Sequence, residues 1–196
     1  MPYLDKIVSQ INTDLLAGPL SNKRFAGGRV ENIAVQVKLD YEDKAAVYVP
    51  VVYRSSGEYR EVTFDDSYPL TIYHRTLSNT YKPIDGQGVG ATKRKWLATS
   101  QMLMCVMAFR DQIKTDKETL EAAIVTNFPF GNNANYKIAP LQTCIVTVLQ
   151  TDMDSLAVFL QEFKGVNVEL NPEKIIFLVK YKIESTYYEG CFNICD

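Results

Sequence analysis

The amino-acid sequence predicts one α+β domain, a mostly antiparallel sheet with an N-terminal amphipathic helix and two further helices packed on one face. Three observations predict it. The spacing of apolar residues is helical in the first segment, drops to two through the next several, and turns helical again in two later segments. A run of strands precedes a β-α-β-α-β end, an order that suits α+β. The chain has 196 residues, 46% of them hydrophobic and 22% charged, which is enough to close a core without covalent staples.

The elements follow in order. Leu4, Ile7, Val8, Ile11 and Leu15 form an apolar stripe along a helix over residues 3–16, and Gly18-Pro19 stops it. Ile33, Val35, Val37 and Leu39 alternate with polar residues and predict a half-buried strand. Val47, Val49, Val51 and Tyr53 form the returning arm of a hairpin, where Pro50 points to an edge strand or a bulge. Residues 60–64 read as a short strand, and Tyr68, Leu70 and Ile72 open another. From Asn79 to Lys95 no period survives, and Lys82-Pro83-Ile84-Asp85-Gly86-Gln87-Gly88-Val89-Gly90 is loop chemistry, long enough to be an arm.

Trp96 to Phe109 is a long strand, apolar on both faces toward its end, as a covered central strand must be. Thr115-Asp116-Lys117-Glu118 fits a capping box with Thr115 as N-cap, ahead of a stripe of Leu120, Ile124 and Phe128. A strand over residues 141–149 follows, then a helix from Asp154 to Phe163 with Leu156, Phe159, Leu160 and Phe163 on its buried face. Ile175, Phe177, Val179, Tyr181 and Ile183 form one face of the last strand, and a Tyr- and Cys-bearing tail occupies residues 186–196.

The composition excludes several function classes. A net charge of −2 gives no global field toward nucleic acid. The longest unbroken apolar run, Met102 to Phe109, is far short of the ~20 residues that span a bilayer. The N-terminus lacks a basic start and a continuous apolar core, so the expectation is a protein made in a cytosol, or assembled into something made there. Cys105 and Cys144 lie in apolar runs and read as small hydrophobes; Cys191 and Cys195 can bridge or bind a soft metal, but a zinc site needs two more ligands.

The candidate chemistries are thin. Gly86-Gln87-Gly88-Val89-Gly90 resembles a phosphate loop, yet Ala91-Thr92-Lys93 misplaces the lysine that follows it. Lys93-Arg94-Lys95 beside Trp96 is a basic cluster of three, suited to a solvated strand end, a partner protein or a nucleic-acid backbone. His74 is the sole histidine and reads as structural or surface. Asp65-Asp66 and Asp152-x-Asp154 lack the glycine and terminal glutamate of a calcium loop and read as a turn and a helix cap. A hydrolase or nuclease whose carboxylates converge only in space stays open, as does a small nucleic-acid-binding or adaptor module. No cofactor, metal or catalytic residue is assigned. Twelve tyrosines stand out. Tyr48, Tyr59, Tyr73, Tyr81, Tyr136, Tyr187 and Tyr188 fall in loops or opposite the core, where tyrosine suits protein interfaces.

The helix at 3–16 leading into the 33–53 hairpin, the arm before the strand at 96–109, and the helix at 116–128 after Phe109-Arg110-Asp111 together resemble the tail-terminator and neck proteins of tailed bacteriophages. The resemblance covers roughly the first 130 residues and one later strand, and is architectural, without a signature motif. The helix at 154–163 departs from the simplest terminators. The tail is similar to that of structural proteins from gut phages, crAss-like phages included. The resemblance implies a tail-terminator-like α+β fold and a non-enzymatic subunit of a head-to-tail connector ring. It implies a homo-oligomer bound to neighbouring portal, neck or tail proteins, located in the virion, without membrane, and with DNA only as cargo through a lumen. It places the subunit contacts on the arm, at Tyr81, Lys82, Pro83, Ile84, Gln87, Val89, Lys93, Arg94 and Lys95, and on the tail, at Tyr187, Tyr188 and Phe192.

Overall fold

The computed structural model describes residues 3–17, 20, 25–38, 44–53, 59–62, 64, 67–84, 94–128, 136–151, 155–164 and 173–190; Phe25, Tyr53, Tyr59, Glu61, Ser155 and segments 32–38 and 44–49 are described by their backbone alone. The chain runs α1 (Tyr3–Ala17), β1 (Phe25–Lys38), β2 (Lys44–Tyr53), β3 (Tyr59–Glu61), β4 (Leu70–Pro83), β5 (Lys95–Phe109), α2 (Arg110–Ile113), α3 (Lys117–Asn127), β6 (Thr143–Gln150), α4 (Ser155–Glu162) and β7 (Lys174–Tyr188). Seven strands form one sheet in the order β3-β2-β1-β4-β5-β7-β6. β1 and β4 are parallel, while the other neighbours are antiparallel, so the sheet is mixed. No helix among the described residues is long and apolar enough to cross a membrane.

β5 organises the core. From Met102 to Phe109 both of its faces are buried. Met102, Met104, Val106 and Ala108 pack with α1, α3 and alternate residues of β7. Leu103, Cys105 and Met107 face the other way, against Phe159, Phe163, Val62 and Phe64. A strand apolar on both sides needs cover on both sides. The helices accordingly lie on both faces of the sheet, α1 and α3 on one and α4 on the other, which corrects the expected one-sided packing.

The α1 stripe is buried as its spacing requires, with Ile7, Ile11 and Leu15 fully enclosed. Each such side chain contributes roughly 1.5–3 kcal/mol relative to exposure. α3 starts differently from the expected capping box. Asp116, one residue later than Thr115, is the N-cap, and its Oδ1 accepts from the Thr119 amide at 2.8 Å. A carboxylate satisfies an orphan amide at least as well as a hydroxyl does. Leu120, Ile124 and Phe128 are buried as the spacing predicts.

Pro50 is not on an edge strand, since β2 lies between β1 and β3. Its carbonyl accepts from Val62 N at 3.1 Å, on the flank away from β1 and just past the three residues that pair with β3. Its missing N–H faces that same flank, so the ladder to β1 stays complete and only the reciprocal bond to Val62, beyond the β3 pairs, is lost. Gly27 sits where β1 meets β4; a Cβ there would lie 2.0 Å from the Ile72 carbonyl oxygen. This close approach of two parallel strands admits no side chain.

Candidate functional site

The expected arm is shorter than its loop chemistry suggests. Residues 79–83 belong to β4 and pair with residues 96–100 of β5, and the ladder ends with Ile84 N donating to Lys95 O at 2.9 Å. Strand pairing overrides the weak local pattern here; residues 85–93 lie outside the described residues. The tail also begins later than expected, because Tyr187 and Tyr188 are the last residues of β7, opposite Trp96 and Lys95. The structure therefore brings Tyr81, Lys82, Pro83, Ile84, Arg94, Lys95, Tyr187 and Tyr188 to one end of the β4-β5-β7 ribbon. Gln87, Val89, Lys93 and Phe192 lie outside the described residues, as do the rest of the glycine-rich loop, Asp65-Asp66, Asp152, Asp154, Gly18-Pro19, Cys191 and Cys195.

The start of α1 covers part of this ribbon end. Burial, helped by neighbouring Tyr81, pushes the Tyr3 phenol up to about 12, and Ser100 and Tyr187 are also neighbours. Tyr81 itself is 52% exposed. Tyr73, expected opposite the core, is instead buried, and packs edge-on against Phe64 with centroids 5.0 Å apart. Tyr136 donates to Asp14 Oδ2 at 2.8 Å and ties the segment before β6 to α1.

His74 is completely buried within a three-residue chain of hydrogen bonds. Its Nδ1 lies 2.8 Å from Tyr181 Oη, and its Nε2 lies 2.8 Å from Asn12 Oδ1. The amide oxygen only accepts, so Nε2 carries the proton and Nδ1 accepts from the phenol. Burial drives the His74 pKa down to about 3 and raises that of Tyr181, so both stay neutral. This chain joins α1, β4 and β7, and all three of its members are buried. A second tie is Arg29, whose Nε meets Asp5 Oδ1 at 2.8 Å and which also contacts Glu31. Burial opposes the Arg29 charge, but Asp5 and Glu31 outweigh it and hold its pKa up. Among the described residues, no three His, Cys, Asp or Glu side chains group to hold a metal ion.

The sheet's borders are distinctive. β1 accompanies β4 only from Leu70 to Arg75, then leaves with β2. Beyond Arg75, β4 has β5 on one side and, among the described residues, no strand on the other. β6 likewise has only β7. Among the described residues the exposed large hydrophobic side chains are Leu77 and Tyr81 on β4, Ile145 and Leu149 on β6, and Leu156 and Leu160 on α4. Leu156 and Leu160 were expected inside. α4 is anchored instead by Phe159 and Phe163, stacked at 5.1 Å, and by Arg75 Nε against Glu162 Oε2 at 2.9 Å. The i and i+4 leucines consequently face outward. Neither the open edges nor this patch is visible in the sequence, because both depend on which strands become neighbours. No protein-family model matches the chain, and no curated protein matches it.

Proposed function

We propose that this chain is a structural subunit that assembles with copies of itself into a ring, as a head-to-tail connector or neck component of a tailed bacteriophage. The observation that carries the assembly reading is where the exposed apolar side chains lie. Scattered exposed apolar residues need no explanation, whereas grouped ones mark interaction surfaces. Among the described residues they sit on two strand edges with no outer strand partner and on the helix that follows one of them. Open, uncharged edges are normally blunted or covered. The neck assignment is supported by the order of elements, an N-terminal helix, a hairpin, a second long hairpin and a helix after its returning strand. On this reading the end of the β4-β5-β7 ribbon, with Tyr81, Lys82, Arg94, Lys95, Tyr187 and Tyr188, meets a neighbouring subunit or ring.

Mass in solution by light scattering after size exclusion, with negative-stain images of the same peak, tests the reading. The expected result is a closed ring of several copies. A strict monomer at every concentration examined would overturn self-assembly.

A further inference from the structure

The two open edges share one level of the sheet. Asn79 pairs with Ser100, Ser100 with Ile183, and Ile183 with Val146. One step along, Thr80, Thr99, Glu184 and Ile145 form the next rung. Beyond Arg75 the sheet is thus a four-stranded ribbon, β4-β5-β7-β6, bordered by β4 and β6 at matching heights. Three antiparallel steps separate these strands, so they run in opposite directions.

Hydrogen-bonding direction also matches. Ile84 N points into β5, so by alternation the amide groups of Asn79 and Tyr81 point outward. Cys144 O points outward to Tyr136 N at 3.2 Å, so the backbone of Val146 points outward too. The segment around Tyr136 closes the edge at Cys144, and among the described residues no strand pairs with the outer side of β6 from Ile145 to Leu149. Neither residues 77–81 nor any residue of β6 carries a charge, so the edges can meet without desolvating an ion. The β3 border differs, being three residues long and carrying Arg60 and Glu61.

Resting on the assembly reading, we infer that β6 of one copy adds antiparallel to the outer edge of β4 of the next, with Val146 opposite Asn79 and Ile145 opposite Thr80. Copies standing side by side in the same orientation meet this way, so the contact is head-to-tail and closes into a ring when the rotation allows. The occupant is a second copy because both halves of the match lie on this chain. A two-fold β6–β6 contact would leave Leu77 and Tyr81 in water.

Ile145 and Thr80 are both exposed, and across the contact they form a non-hydrogen-bonded pair, whose Cα separation of about 4.5 Å suits a disulfide. The test uses the full chain with Cys191→Ser and Cys195→Ser, carrying Thr80→Cys, Ile145→Cys or both, under mild oxidation. The double variant should give a ladder of covalent multiples on a non-reducing denaturing gel, and neither single variant should. Dimers from Ile145→Cys alone would replace the inference with the two-fold contact. No ladder from a sample that light scattering shows to be oligomeric would overturn the pairing and leave the assembly reading standing. A monomer throughout would overturn both. As a second variant, Asn79→Pro removes an outward amide at an exposed position. It should keep the thermal midpoint within a few degrees and dissociate the oligomer; an intact oligomer would count against the pairing.

Discussion

His74 shows how one side chain is decided by its surroundings. Alone in the sequence, it invites catalytic readings. Enclosed between Asn12 and Tyr181, it is a neutral hydrogen-bonding post joining a helix to two strands. Its folded pKa of about 3 lies below the ordinary 6.5, so the folded state binds fewer protons than the unfolded chain. The stability it contributes is complete above about pH 6.5 and declines as pH falls from there toward 3. Urea unfolding across that window should show the decline, and His74→Gln should flatten it. An unchanged slope in the variant would assign the pH dependence to carboxylates instead. Cys105 and Cys144 follow the same logic, since burial raises both thiols.

Among the elements, α4 separates what spacing can tell from what packing decides. Leu156, Phe159, Leu160 and Phe163 satisfy a helical stripe equally well in the sequence. Only the two phenylalanines reach the cluster formed with Phe64 and Tyr73. Phe159→Ala should therefore cost about 3 kcal/mol in chemical denaturation. Leu156→Ser should change stability by no more than about 0.5 kcal/mol. Equal costs would mean that the leucines are buried within the subunit. α1 is the opposite case, because its five stripe residues all point inward and its extent was legible from periodicity and the Gly18-Pro19 stop. The hairpin over residues 33–53 was legible too, although β1 begins as early as Phe25, whereas the parallel approach of β4 to β1 was not. It joins residues 45 positions apart, Phe25 and Leu70, at a contact that Gly27 makes close.

At the scale of the molecule, β4, β5 and β7 are longer than the core they cross. Toward one end the three strands are largely buried between helices; toward the other β4 is exposed, while β5 and β7 keep one face buried through Ala98, Ser100, Ile183 and Ser185. Opening of the chain should follow that division. Amide exchange should be slowest in residues 102–108 of β5, which lie between β4 and β7, and in residues 180–183 of β7, which lie between β5 and β6. Slowest exchange in α3 or α4 would contradict a sheet-centred core.

The sequence by itself determined the α+β class, the helices and most strands, because side-chain periodicity encodes which face of an element avoids water. It also supplied the tyrosines and the uncharged character of β6. Tertiary structure alone decided that α4 lies opposite α1 and α3, that residues 79–83 are strand, and that β4 and β6 border one ribbon at one height. Strand order and register arise from contacts between residues far apart in the chain, and local patterns carry no record of them.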